Sequence, residues 1–426
     1  MNFMIPDIFS SVYLYLKGYV FYYPVIMSIV WMMGGVFFYW RRERKVSKLP
    51  PKLTSYPLVS VLIPAHNEEA DIEESVRSIF ANHYPKLEVI VINDASTDGT
   101  QAVLDGLLGE YPNLRVVHLH KNMGKAQGLN MALAMSHGDV LMTLDADSML
   151  DERAIEWAVW HFVTFPRVGA VTGNPRIRNR STLLAKIQIA EYSSVIGLIK
   201  RTQRLLGKVM TVSGVVAAWR RTAVIHSGLW NPAAITDDIE MTWRLETHFW
   251  DIRYEPNMLC WMLVPETLKG LWRQRLRWAQ GGIEVLRMHL DVWKSWKERR
   301  IWPIYSDYVF SAFWALSFFF LLVFDGLRIF MALGTQNVQL VQGIFGLLWG
   351  WNGMIIASIC LLQIFVSLML DSRYDVGLWK IFFWTPWYPL FYWAFNSLAA
   401  VFSLPKGLLR DLHTNATWSS PDRGLR

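Results

Sequence analysis

The chain has 426 residues, 53% of them hydrophobic and 14% aromatic, with a formal net charge of +7, so it is longer and more apolar than one ordinary soluble domain. The basic excess flanks apolar runs, at residues 41–48 and 269–300, where anionic headgroups attract it; neither a basic tail nor zinc-finger spacing points to nucleic acid. Two distant cysteines, Cys260 and Cys360, exclude a disulfide framework and a cysteine-based metal site and fit a reducing cytoplasmic domain.

Phe3–Leu16 carries Asp7 and reads as a short span, an interfacial helix or an ordered lead. Gly18–Trp40 has no charge and exceeds the roughly 20 residues that cross a bilayer. Arg41-Arg42-Glu43-Arg44-Lys45 follows, which places the next segment in the cytoplasm, and the start lacks the basic region of a cleaved signal peptide. Residues 46–56, broken at Leu49-Pro50-Pro51-Lys52, form a linker.

From residue 57 to about 300 the pattern alternates. A strand over Leu58–Ile63 is stopped by Pro64, and Glu68–Ala81 has helical spacing. A strand over Leu87–Ile92, a helix over Asp98–Leu108, a strand over Leu114–Leu119, a helix over Lys125–Ser136 and a strand over Val140–Leu144 continue it. This α/β repetition predicts a parallel sheet with helices on both faces, whose ligands bind beyond the carboxyl ends of the strands. His66-Asn67-Glu68, Asp94 and Asp145-Ala146-Asp147 collect there. No glycine-rich dinucleotide fingerprint or phosphate-binding P-loop is present.

Asp145 and Asp147 at a strand-ending turn can present two carboxylates to Mg²⁺ or Mn²⁺; a solvated turn is the plain alternative. Asp94 precedes a stretch in which Thr97 or Asp98 can cap a helix, and Gly124-Lys125 opens another helix where an anion can bind. Thr236-Asp237-Asp238 precedes an amphipathic helix, so Thr236 or Asp237 can cap it, while adjacent acids raise one pKa toward that of a general base.

Between Leu268 and Gln280, the residues Leu268, Leu271, Trp272, Leu276 and Ala279 form an apolar stripe. Gln274, Arg277 and Trp278 share another face, which predicts an interfacial helix with its stripe in lipid and these three turned toward the acidic clusters. Val309–Leu333, Val341–Leu370 and Ile381–Leu404 are further candidate spans, the first with Asp325 and Arg328 placed to pair. One N-terminal and three C-terminal spans put the C-terminus outside, whereas Lys406 and Arg410 favour inside; a re-entrant segment or a miscounted span would reconcile the two.

Four ordered motifs, Asp94 in Asn-Asp-Ala-Ser-Thr-Asp-Gly, Asp145-x-Asp147, Thr236-Asp237-Asp238 and Gln274-x-x-Arg277-Trp278, resemble the family 2 inverting glycosyltransferases, specifically the membrane-integrated processive synthases. Val171–Arg178, Glu191–Ser194, Val212–Gly214, Pro265–Trp272 and Trp418–Gly424 are similar to the subgroup that makes β-1,6-linked poly-N-acetylglucosamine for biofilm matrix. The resemblance implies a GT-A (Rossmann-like) cytoplasmic domain between N- and C-terminal transmembrane helices of an inner or cell membrane. The divisions fall at 1–45, 46–56, 57–265, 266–303, 304–404 and 405–426.

It further implies that Asn67, Glu68, Asp94, Lys125 and Asp145 contact the nucleotide sugar, UDP-N-acetylglucosamine, and that Asp147 with Asp145 holds Mg²⁺ or Mn²⁺. Asp238 would be the base, and Thr236, Asp237, Gln274, Arg277 and Trp278 would meet the growing polysaccharide and the diphosphate. A small membrane partner subunit is implied as well. Ala95 stands where the family commonly has Gly and Asp237 where it has Glu. Three other readings stay open: a synthase of another polymer, a non-processive transferase acting on a lipid phosphate, and a non-catalytic transporter or scaffold.

Overall fold

The computed structural model describes residues 4–334 and 351–417, so residues 341–350 of one apolar run and the terminal stretch Trp418–Gly424 lie outside the described residues. Eight strands form one sheet: β1 (Val59–Ala65), β2 (Leu87–Asn93), β3 (Leu114–His118), β4 (Val140–Leu144), β5 (Met149–Leu150), β6 (Val168–Ile177), β7 (Val216–Arg220) and β8 (Asp251–Met262). The helices are α1 (Met4–Phe38), α2 (Ile72–Phe80), α3 (Thr100–Leu108), α4 (Lys125–Met135), α5 (Ala154–Thr164), α6 (Leu183–Tyr192), α7 (Lys200–Leu206), α8 (Arg221–His226), α9 (Asp237–Thr247), α10 (Leu268–Met288), α11 (Trp302–Gly334), α12 (Trp351–Asp371), α13 (Trp379–Phe382) and α14 (Trp393–Leu409).

Successive strand residues point to opposite faces, and two cores follow. Val61, Ile63, Val89, Val91 and Met142 pack under α2, α3 and α5. Leu62, Ile90, Ile92 and Leu141 pack under α4, α8 and α9. Helices therefore cover both faces, as the alternating pattern requires.

The sheet is not parallel throughout. Its order is β3-β2-β1-β4-β7-β6-β8-β5, and only the first four strands form the parallel half. β7 runs antiparallel to both β4 and β6, β8 is parallel to β6, and β5 is antiparallel to β8. The start of β7 consequently lies beside the end of β4, with Leu144 opposite Val216 and the Asp145 N–H donating to the Val215 carbonyl at 3.1 Å.

Pro64 does not stop β1. The Val59 N–H donates to Lys86 on the β2 side, so by alternation the nitrogen of Pro64 faces β4, whose pairing with β1 ends at Leu62. No ladder bond is lost there. The helices predicted from Glu68 and Asp98 begin later, at Ile72 and Thr100, because the residues before them form loops at the end of the sheet.

Among the described residues, three helices are long and apolar enough to cross a membrane: Ser10–Glu43, Trp302–Met331 and Asn352–Asp371. The N-terminal lead is continuous with the first of them. Asp325 and Arg328 pair at 3.4 Å, and the Tyr13 hydroxyl donates to Asp325 at 2.6 Å. The expected span over Ile381–Leu404 is not one helix: Pro386 and Pro389 lack the N–H that a continuing helix needs, and the chain passes through α13 and a π-helical turn, Tyr388–Tyr392, into α14.

The stripe on α10 is covered in part by protein, with Leu268 at its start left exposed. Leu271 is buried with Ile187 and Tyr392, and Trp272 packs edge-on against Phe395 and Phe402 of α14. An apolar stripe records that a helix is covered, not by what.

A chain of four buried charges ties the apolar helices to the sheet. Arg201, at the start of α7, donates to Glu43 just beyond α1 at 2.7 Å and 3.0 Å and to Asp371 at the end of α12 at 2.7 Å. Arg176 on β6 reaches the other oxygen of Asp371 at 2.6 Å, and the Tyr374 hydroxyl donates to Glu43. Removing one member strands a desolvated partner, which costs about 3–5 kcal/mol. Asp371→Asn is expected to lower the thermal midpoint of the detergent-solubilised protein far more than Asp291→Asn, whose partner Lys294 is exposed. Equal midpoints for the two variants would show that the buried chain is not a fastening.

Candidate active site

The edge of the sheet formed by the ends of β1, β2 and β4 carries the predicted polar residues. Asn67, after β1, adopts a left-handed backbone (φ 56°), which asparagine tolerates, and its Oδ1 accepts from the Thr97 N–H at 2.7 Å. The Glu68 N–H donates to Thr100 Oγ1, and Glu68 itself is buried. Ala95 is also left-handed (φ 54°), which accounts for the glycine that resembling sequences commonly carry there. The residue capping α3 is Gly99 and not Thr97 or Asp98, while Asp98 Oδ1 accepts from both the N–H and the hydroxyl of Thr100.

Asp94 is buried, and its two oxygens accept from the N–H groups of Met123 and Gly124 at 2.7 and 2.8 Å. It therefore holds the turn that presents Lys125. Gly124 has φ 87°, and a Cβ there would lie 2.2 Å from the carbonyl oxygen of Ala416, so the C-terminal segment crosses directly over this turn.

Lys125 Nζ donates to Asp145 Oδ1 at 2.5 Å and to the Gly214 carbonyl at 3.2 Å. Burial acts to lower its pKa, but Asp145, Asp237 and Asp238 outweigh that and raise it, so the lysine stays charged. Asp147 is buried on the same turn as Asp145 and accepts from the Ser148 hydroxyl at 3.1 Å.

The segment Ser213-Gly214, delivered by the antiparallel start of β7, joins the lysine to the acids. Its Gly214 N–H donates to Asp238 Oδ2 at 3.1 Å while the Gly214 carbonyl receives Lys125. A Cβ at Gly214 would come within 2.9 Å of Asp238 Oδ2, so a larger residue there would have to displace that carboxylate. Asp238 Oδ1 accepts from the Ile239 N–H at 2.9 Å. Thr236 caps α9 by position, yet its side chain makes no capping bond, and among the described residues its buried hydroxyl has no hydrogen-bond partner. Asp237 lines a cavity with Lys125 and Arg277. Burial, aided by Asp238 and Asp145 and opposed by Lys125, pushes its carboxyl up to about 6. The raised acid is thus Asp237, the middle residue of the motif.

Gln274, Arg277 and Trp278 do not share one environment. Arg277 is exposed into the cavity with Lys125 and Asp237, a space of about 240 Å³ that Arg410 and Asn415–Thr417 close from the other side. Gln274 is buried, and Trp278 packs with Ile177, Tyr388 and Trp393. Arg275, inside the pentapeptide but not predicted, is the buried ion-pair member: it meets Glu191 at 2.5 Å, donates to the Tyr392 hydroxyl at 2.9 Å and lies 4.5 Å from the Trp278 ring centroid.

Lys200 was also missed. It is buried, donates to Thr172 Oγ1 at 3.0 Å, and that oxygen also accepts from the Ser213 N–H at 2.8 Å. Burial lowers its pKa to about 7, against the pull of Asp238. It sits one bond behind the Ser213-Gly214 peptide, and nothing in a local Lys-Arg-Thr-Gln-Arg pattern separates it from a solvated basic turn.

Residues 57–281 match the family described as glycosyltransferase like family 2. The chain is 39% identical over 413 residues to a poly-beta-1,6-N-acetyl-D-glucosamine synthase of Staphylococcus aureus (strain COL), covering 96% of this chain and 98% of that one. It is 35% identical over 420 residues to the synthase of the same name from Staphylococcus epidermidis, with 96% and 99% covered. A mannosyltransferase from Pyrobaculum calidifontis, solved in complex with GDP-Man and Mn²⁺, shares the fold with a TM-score of 0.56 at 20% identity, covering 92% of this chain and 99% of that one.

The raised carboxyl of Asp237 has a sign that can be read. Between 3.8 and about 6 the folded chain keeps a proton that the unfolded chain has released, so stability falls as pH rises through that window and levels off above it. Asp237→Asn removes this loss. Its gain in thermal midpoint over the parent is expected to grow to a few degrees by about pH 6 and then stay constant. A gain that does not vary with pH would place the ionised carboxylate outside this acidic cluster.

Proposed function

The chain belongs to glycosyltransferase family 2, and we propose that it is a processive inverting synthase that builds β-1,6-linked poly-N-acetylglucosamine from UDP-N-acetylglucosamine. One observation carries the mechanism: the backbone of Gly214 holds Asp238 by its N–H and Lys125 by its carbonyl, placing a base and a cation on the same residue.

Asp238 Oδ2 takes the proton from the 6-hydroxyl of the acceptor sugar. That oxygen attacks C1 of the donor from the face opposite the diphosphate, the bond from C1 to the diphosphate oxygen breaks, and the new link is β. Fixing the carboxylate beforehand avoids the cost of orienting it during reaction, and a positioned base of this kind supplies about 10²–10⁴-fold. Lys125, and Arg277 on the far wall of the cavity, receive the departing diphosphate. Trp278, half-buried with Arg275 4.5 Å from its ring centroid, offers the acceptor a stacking surface.

Asp145 and Asp147 fit a divalent cation, Mg²⁺ or Mn²⁺. Two hard carboxylates share one turn, a donor set that suits an ion completed by substrate oxygens and water. When bound, the ion supplies positive charge to the leaving diphosphate. The salt bridge from Lys125 to Asp145 ties the turn to the start of α4.

The three apolar helices and the basic residues after Trp40 support a multi-pass arrangement with the catalytic domain in the cytoplasm. With the first span running inward, the second outward and the third inward, Lys406 and Arg410 fall on the cytoplasmic side. This ordering removes the conflict that a fourth crossing creates.

Asp238→Asn is expected to bind UDP with an affinity near that of the parent while reducing polymer formation from UDP-N-acetylglucosamine by about 10²-fold or more. Parent-like synthesis by this variant would remove Asp238 from the role of base. Chelation with EDTA should abolish synthesis, with Mg²⁺ or Mn²⁺ restoring it and linkage analysis giving 1,6 bonds. Single-sugar products, or another linkage, would replace the proposed reaction.

A further inference from the structure

A second cavity, of about 760 Å³, lies at the opposite edge of the sheet, where β6 and β8 begin side by side at Val168 and Asp251. Its other walls are the end of α7, the turn between α9 and β8, and residues 297–303, which lead into the apolar helix Trp302–Met331. None of the catalytic residues lines it.

The wall is positively charged. Arg167, Lys208, Arg253, Lys297 and Arg300 face Glu246, Asp251 and Glu298, five basic groups against three acidic ones. Asp251 is already held by Arg204 at 2.9 Å and Arg253 at 3.0 Å. Glu246 is buried with Lys208 Nζ 3.9 Å away, and its Oε2 has no hydrogen-bond partner among the described residues. Lys297 and Arg300 are exposed on the same wall and extend its charge outward.

The surroundings are those of a membrane surface. Trp293 and Trp296 pack against Trp302, the first residue of α11, with centroids at 5.1 and 5.5 Å, and Trp296 is 69% exposed. Such an aromatic belt sits at headgroup level. Leu206 and Phe249 leave apolar surface open at the cavity, 71% and 51% exposed. A soluble anion needs the basic groups but has no use for this apolar rim, whereas a lipid uses both. Basic pockets beside membrane helices take anionic headgroups, at about 1 kcal/mol for each basic residue near the surface.

We propose that this cavity binds the phosphodiester headgroup of an anionic phospholipid, with Lys297 and Arg300 at its mouth and the acyl chains running along α11. Phosphatidylglycerol, whose phosphodiester carries one negative charge, is the lipid with which the proposal is tested. This reading rests on the membrane placement proposed above. Occupancy would clamp the foot of α11 to the far edge of the catalytic sheet.

The test uses the full chain in nanodiscs of phosphatidylcholine, with or without phosphatidylglycerol, comparing the parent with the double variant Lys297→Gln/Arg300→Gln. Native mass spectrometry should find phosphatidylglycerol retained by the parent and roughly tenfold less by the variant. Polymer synthesis by the parent should rise several-fold with phosphatidylglycerol, while the variant keeps the rate seen in phosphatidylcholine and loses the rise. Equal retention by parent and variant would overturn the proposal. So would stimulation of the parent by soluble glycerol 3-phosphate in phosphatidylcholine discs, which would make the ligand a free phosphate. If no polymer forms in either membrane the synthase reading fails, and lipid retention still decides this one.

Discussion

Arg201 is the point at which the protein becomes one object. It is fully buried, and its guanidinium is divided between Glu43 beyond the first apolar helix and Asp371 at the end of another, while Arg176 of the sheet takes the remaining oxygen of Asp371. A planar, always-charged fork suits this better than lysine would, because it meets two carboxylates in fixed directions. Apolar contacts alone would let helices slide against the domain; charges buried without water are costly to separate, so the register of helices and sheet is held.

That register decides what the catalytic edge can do. With α12 held at β6 through Arg176, the turn of α6 that carries Glu191 meets Arg275 and Tyr392, and α10 is enclosed between the domain and α14. Arg277 then faces the cavity with Lys125 and Asp237, while Trp278 turns to the aromatic side.

The parallel half of the sheet, its helices on both faces and the position of Asn67, Asp94, Asp145 and Asp147 at strand ends were legible because alternation and strand-ending turns are local. The antiparallel entry of β7 was not. It depends on which strand lies beside β4, and pairing between segments more than sixty residues apart leaves no periodic trace. Yet that reversal brings Ser213-Gly214 to the catalytic edge, and with it Thr172 and Lys200. The lipid-facing stripe on α10 failed in part for a related reason: periodicity reports burial and not the identity of the covering surface, which at Trp272 is α14. The broken run at Ile381–Leu404 had its signal in Pro386 and Pro389, which the absence of charge outweighed.

By itself the sequence determined the chemistry available: acids at strand ends, a lysine opening a helix, a Gln-Arg-Trp motif and apolar runs long enough to span lipid, since each is a property of neighbouring residues. Only the tertiary structure decided which of these act together. Strand direction placed Gly214 between Asp238 and Lys125, and buried charge pairs set the helices against the sheet. Both depend on contacts between distant segments, where the free energy of desolvating paired groups, and not local propensity, selects the arrangement.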